Sequence, residues 1–163
     1  MSLFLGVDVA TRTGWAIVEA TPGREVLRDH GIVDATSDTP LWEQIDAVLD
    51  RCHHSATVAI ELPYLADNPH TLEVLARLCG QWEAIISMRA GFDVVMVKAS
   101  QWQSAILTGL TDVHSKRAQR KRASKMWCLA TYGVDLDEDR SDAAALATWA
   151  ARTSRARGLG IGR

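Results

Sequence analysis

Four carboxylates stand where a metal ion could be held: Asp8, Glu61, Asp139 and Asp142. Asp8 follows the apolar run Leu3-Phe4-Leu5-Gly6-Val7, and Glu61 follows Thr57-Val58-Ala59-Ile60. Runs of this kind read as buried strands, so each acid falls near a strand end. Asp139 and Asp142 lie three residues apart at the start of an alanine-rich helical stretch, which puts both on one helical face. An ionised carboxylate at the edge of a core is costly unless a cation or hydrogen bonds offset it. Acids at two strand ends and one helix start therefore fit a hard-cation site built from oxygen ligands. Sites of that type run metal-assisted phosphodiester cleavage.

A second group is basic. The run from His114 to Lys125 holds six Lys or Arg and no acid: Lys116, Arg117, Arg120, Lys121, Arg122 and Lys125. On a helix, Arg117, Lys121 and Lys125 stack at four-residue spacing, as do Lys116 and Arg120, while Ala123, Met126, Trp127 and Ala130 can face a core. A solvated helix face usually carries mixed charges. A one-sided basic stripe is instead the electrostatic footprint of phosphate binding. Its contacts would position a polyanion without reading bases.

These groups need a scaffold to bring them together. Residues 3–9, 14–18 and 25–33 read as three strands of an antiparallel meander, with Thr11-Arg12-Thr13-Gly14 as a tight turn. Thr39-Pro40 marks a helix start, and Leu41, Ile45, Val48, Leu49 and Cys52 recur at helical spacing after it. Residues 56–61 form a fourth strand. Asn68-Pro69 opens a long helix over 70–89 that Gly91 ends, and 92–97 is a fifth strand. Ser100 with Gln103 fits a capping box opening a short helix. A helix over 114–131 and a last one from Ser141 onward complete the chain, and the Arg- and Gly-rich residues 152–163 form a basic tail expected to fray. A meander followed by strand–helix alternation implies an α/β fold: a mixed sheet of five strands with helices on both faces. In such a sheet, adjacent strand ends converge on one site. Asp8 and Glu61 meet only if the first and fourth strands are neighbours.

The chain has 163 residues, enough for one domain, and a net charge of −2. That balance excludes a uniformly basic nucleic-acid binder, so any contact with DNA must be local. Cys52, Cys79 and Cys128 are odd in number, far apart and without CxxC spacing, and they read as reduced thiols of a cytoplasmic protein. No basic region precedes the first apolar run, which Asp8 interrupts, so it does not read as a signal peptide. No segment approaches membrane-spanning length.

The ordered motifs resemble those of the RuvC family of Holliday-junction resolvases, within the ribonuclease H-like superfamily. Leu5-Gly6-Val7-Asp8-Val9-Ala10-Thr11-Arg12-Thr13-Gly14-Trp15-Ala16 is similar to the family's first strand, acid and turn, though Val9-Ala10 stands where the family often has Pro-Gly. Ala59-Ile60-Glu61-Leu62-Pro63-Tyr64 looks like its second motif, a Glu followed three residues later by an aromatic. Asp139-Arg140-Ser141-Asp142-Ala143 looks like its closing pair of acids. The match runs from residue 3 to about 150, and the chain is short for a bacterial housekeeping member, closer to a phage or prophage version.

The resemblance implies a single ribonuclease H-like nuclease domain over 1–163. It implies two divalent cations, Mg²⁺ or Mn²⁺, held by Asp8, Glu61, Asp139 and Asp142, with Asp8 bridging both ions. It gives Lys98 contact with the scissile phosphate, makes Lys116 a second basic position, and puts Tyr64 where an aromatic stacks at the junction point. Stacking on an unpaired base is worth roughly 1–3 kcal/mol. The implied substrate is branched DNA, a four-way junction cut by paired symmetric nicks. Its two-fold symmetry calls for a C2 homodimer. Helix 70–89, with Leu72, Leu75, Leu78, Cys79 and Trp82, is the candidate interface or else a buried core helix. Nothing in the chain identifies a branch-migration helicase partner.

Three other readings compete. One is a ribonuclease H-like nuclease acting on RNA–DNA hybrid or other branched DNA. Another is a non-catalytic junction-binding module, against which retention of all four acids argues. A sugar-kinase or actin-like phosphotransferase shares the strand-one Asp and Gly/Thr turn, but needs two such domains. The six tryptophans mostly read as core or dimer contacts, with Trp102 the exception, and His53-His54 lack partners at ligand spacing.

Overall fold

A computed structural model of the chain describes residues 1–53, 55–63, 68–111 and 116–158. Five strands form one sheet: β1 (Ser2–Asp8), β2 (Arg12–Thr21), β3 (Arg24–Asp34), β4 (Ala56–Glu61) and β5 (Phe92–Val97). Their spatial order is β3-β2-β1-β4-β5. β1, β2 and β3 pair antiparallel, and β4 and β5 run parallel to β1. The sheet is therefore mixed, as the strand pattern predicts, and β1 and β4 are neighbours.

Side-chain alternation along the strands splits the core in two. Leu5 and Val7 of β1, with Val58 and Ile60 of β4, face α1 (Leu41–Asp50) and α2 (Pro69–Ser87), where Ile45, Leu49, Cys79, Trp82 and Ile86 are buried. Phe4 and Ala59 face the opposite side, onto α3 (Ala99–Ile106), α4 (Arg117–Tyr132) and α5 (Glu138–Gly158). Asp8 and Glu61 follow Phe4 and Ala59 at even spacing, so both point to the α5 side.

α5 lies unusually close to the sheet because glycines leave room for it. A Cβ on Gly6 would fall 2.0 Å from the Ala143 carbonyl oxygen, and one on Gly14 would fall 2.2 Å from that of Asp139. Gly14 is thus a strand residue at a close helix approach; the turn ends before it, with the Thr13 hydroxyl bridging back to the Ala10 backbone. The face of α5 against the sheet is almost all alanine, from Ala143 to Ala151, which permits the same approach.

Several element ends differ from the sequence expectation for identifiable reasons. Pro40 precedes α1 as its cap, so Leu41 is the first helical residue. Asn68 caps α2 as expected, its side chain accepting from the His70 backbone N–H. At α3 the Gln101 side chain accepts from the Lys98 backbone N–H, two residues earlier than the Ser100–Gln103 box. α5 starts at Glu138 rather than Ser141, with the Asp137 carboxylate accepting from the Arg140 backbone N–H. It also runs through Gly158, past where the sequence suggests fraying: Arg152 and Arg155 both pair with Glu25, and Arg155 also donates to the Thr21 carbonyl. Cys79 and Trp82 pack against the sheet and Leu78 is buried, so that stretch of α2 serves the core, the second of the two expected roles, while Leu72 and Leu75 nearer its start are partly exposed. Cys52, Cys79 and Cys128 are free and buried. Among the described residues, no helix is long and apolar enough to cross a membrane.

Candidate active site

Register places the first two acids side by side. β1 and β4 pair in parallel up to Val7 opposite Ile60, and Asp8 and Glu61 are the next residues on each strand. α5 crosses above β1, bringing Asp142 over Asp8, with Asp139 one turn earlier. The sequence-predicted quartet is thus gathered at one end of the central strands. Asp8 and Asp142 are 19% and 10% exposed at the side chain, and Asp139 is 39% exposed.

At their centre is a cation that the sequence pattern assigned elsewhere. The Lys121 ammonium lies 2.7 Å from Asp142 Oδ2, 3.2 Å from Asp139 Oδ1 and 3.3 Å from Asp8 Oδ2. Its side chain is only 13% exposed, so it leaves the expected stripe and belongs to the acid cluster. Helical geometry explains this: Lys121 shares a face with buried Ser124 and Cys128, not with solvent. Met126 and Ala130, expected in the core, are exposed for the same reason.

Glu61 is held differently. The buried Trp102 indole N–H donates to Glu61 Oε2 at 2.6 Å. Sequence reasoning set Trp102 apart from the other tryptophans but gave it no role; its only signal was a tryptophan following the Val97-Lys98 strand end. The remaining basic residues divide. Arg117 and Arg120 line a groove with Asp8, Glu61, Asp142, Leu62 and Lys121. Lys98 is exposed and lines an adjoining hollow with Pro63, Ser100 and Arg120. Lys116 and Arg122 are exposed, and Lys125 is within 4.0 Å of Asp135. Tyr64 and His54 lie outside the described residues.

The electrostatics call for more positive charge. Burial, together with the neighbouring acids, pushes the Asp8 carboxyl up to about 6 despite Lys121. Burial and Asp8 push Glu61 up to about 7. Burial also raises Asp142. Burial alone would lower Lys121, but Asp8, Asp142 and Asp139 outweigh it and raise it. Three carboxylates share one ammonium with Glu61 beside them, and the excess negative charge is what a hard divalent cation would neutralise. The all-oxygen donor set fits Mg²⁺ or Mn²⁺. Among the described residues no three His, Cys, Asp or Glu side chains stand close enough together to hold a metal ion as they are placed, and the Lys121 ammonium lies between Asp8, Asp139 and Asp142.

This predicts an inverted pH dependence of stability. An acid whose folded pKa is raised favours the folded state only when protonated, so the folded chain binds more protons than the unfolded one between about pH 4 and pH 7. Without added metal, the melting temperature should rise as pH falls from 8 to 6, and saturating Mg²⁺ should flatten that slope. Thermal melts across this range with chelator or Mg²⁺ check it; an unchanged slope would show that the raised acids do not meet metal.

The family model described as crossover junction endodeoxyribonuclease RuvC matches residues 4–149. No curated protein matches the sequence. Among solved structures, Thermus thermophilus RuvC in complex with a Holliday junction substrate aligns with a TM-score of 0.73 at 17% identity, over 99% of this chain and 98% of that one. The Fowlpox virus resolvase in complex with Holliday junction DNA aligns with a TM-score of 0.63 at 12% identity, over 93% of this chain and 98% of that one. The yeast mitochondrial Holliday junction resolvase aligns with a TM-score of 0.56 at 14% identity, over 95% of this chain and 81% of that one. At these identities the structural likeness establishes the ribonuclease H-like fold.

Proposed function

The chain belongs to the family of the crossover junction endodeoxyribonuclease RuvC, and on that premise we propose that it resolves four-way DNA junctions by paired symmetric nicks through two-metal phosphodiester hydrolysis at Asp8, Glu61, Asp139 and Asp142. The observation that carries this reading is the gathering of Asp8, Asp139 and Asp142 on one cation, with Glu61 alongside, facing a groove flanked by Arg117 and Arg120.

Hydrolysis of a phosphodiester needs an activated water, neutralised phosphate charge and a stabilised leaving oxygen, and a pair of divalent ions supplies these together. Asp8, central to the cluster and flanked by strand and helix acids, is the residue suited to share both ions. Glu61 has one oxygen fixed by Trp102, which orients the carboxylate toward the groove and leaves the other oxygen for an ion. Arg117 and Arg120 would hold the phosphodiester backbone. Lys98, lining the hollow that adjoins the groove, would contact the scissile phosphate; Lys116, Arg122 and Lys125 would extend the contact away from the cut, and Tyr64 would stack at the branch point. Two such sites related by a C2 axis match the symmetry of the junction, so the working form is a homodimer.

Cleavage of end-labelled four-way junctions, with linear duplex and RNA–DNA hybrid alongside, in Mg²⁺ and Mn²⁺, tests the reading. Paired symmetric nicks in the junction alone are expected. Cutting of the hybrid in preference would retain the metal site and replace the substrate. Replacing Arg117 and Arg120 with Glu should weaken junction binding and lower the slope of log K against log salt by about one per lost phosphate contact. Gel shifts over a salt series measure this, and an unaltered slope would remove both from the interface.

A further inference from the structure

We infer that Lys121 is a built-in counter-ion of the acid cluster, which divalent metal must displace from Asp8, Asp139 and Asp142 before the site can load. This rests on the metal-site reading above. The ammonium touches oxygens of three of the four proposed ligands at 2.7, 3.2 and 3.3 Å. A Mg²⁺ ion requires such oxygens at about 2.0–2.1 Å in near-octahedral array. An ammonium donating to the same lone pairs blocks that approach, and its positive charge repels the ion across a short, poorly solvated gap. The two cations are therefore alternatives for one set of oxygens.

The mounting of Lys121 suits exchange. Its backbone is fixed on α4, one turn before buried Ser124, while its four-carbon stem is flexible. It also lines the open groove that Arg117 and Arg120 share, so it has a place to go without unfolding the helix. As counter-ion, Lys121 keeps the cluster assembled in the absence of metal; as competitor, it sets the metal concentration at which the site fills.

Calorimetric titration of the chelator-treated full chain with Mn²⁺ tests this, comparing the wild type with Lys121→Met and Lys121→Arg. The Met variant, with similar length and no charge, should bind Mn²⁺ at least about tenfold more tightly. The Arg variant keeps the charge and should stay weak. A second measurement needs no variant: acetylation of Lys121 in the wild-type chain by an amine-reactive reagent, followed by peptide mass spectrometry, should speed up severalfold when Mn²⁺ saturates the site. Equal or weaker Mn²⁺ binding by a folded Met variant would overturn the inference, as would unchanged acetylation in Mn²⁺-saturated protein. Absence of Mn²⁺ binding by both wild type and Met variant would overturn the metal-site reading itself.

Discussion

Asp8→Asn is expected to reduce junction cleavage by about 10³-fold or more while junction binding survives. Asp8 ends the central strand, in register beside Glu61, and its Oδ2 is one of three oxygens around the shared cation. The amide keeps the size of the side chain and removes the charge a bridging ligand needs. Metal charge stabilisation is worth several kcal/mol, and each 1.36 kcal/mol is tenfold in rate. The basic residues along the groove, proposed to carry binding, are left intact by the change. Stability supplies a second readout. Because burial raises the Asp8 carboxyl to about 6, its charge opposes folding above that pH. With chelator at pH 8, the variant should therefore melt no lower than the wild type. Single-turnover cleavage, gel shift and thermal melting separate these effects, and cutting at the wild-type rate would remove Asp8 from the chemistry.

Gly6→Ala should damage the enzyme without altering any side chain of the site. The added Cβ would lie 2.0 Å from the Ala143 oxygen and 2.7 Å from the Ala147 nitrogen. Both are backbone atoms of α5, so no rotamer change relieves the clash and the helix must lift from the sheet. Overpacking of this kind costs about 1–3 kcal/mol, occasionally more. At about 2–4 °C per kcal/mol for a chain of this size, the melting temperature should fall by roughly 2–12 °C. Asp142 precedes Ala143, so lifting α5 also draws Asp142 from Asp8, and cleavage should fall beyond what lost fold accounts for. Gly80→Ala is the control: Gly80 sits in α2 with open space around its Cβ, and alanine there should be neutral or stabilising. Equal melting temperatures for Gly6→Ala and wild type would mean that α5 does not bear on the sheet as described.

The strands and the four acids were legible because they rest on local signals: short apolar runs ending in an acid, and two acids three apart before an alanine run. Pairing of β1 with β4 needed three dimensions, but the alternation of Phe4, Gly6 and Asp8 already assigned Asp8 a face. Lys121 was misread for a physical reason. Four-residue spacing relates it equally to Arg117 and Lys125, and periodicity cannot say which of several basic rows turns inward; that depends on where α5 sets Asp139 and Asp142. Trp102 was hidden likewise, since its hydrogen bond to Glu61 spans 41 residues. Gly14 carries the same lesson. A glycine after Thr-Arg-Thr reads as a turn, whereas here it serves a helix crossing that leaves no local trace.

The order of strands also separates what must be kept from what can vary. Asp8 and Glu61 sit on β1 and β4, each flanked by a paired strand on both sides, while β3 and β5 form the rims. Lys98 follows the outer strand β5, and Lys116 and Arg117 stand at the start of α4. If those residues hold DNA as proposed, substitutions along that fringe would alter which branched DNA is gripped, and how firmly, while the inner strands keep the acids in register. A lineage built on this plan can change its substrate preference by surface drift, one tolerated replacement at a time, with the hydrolytic chemistry inherited intact.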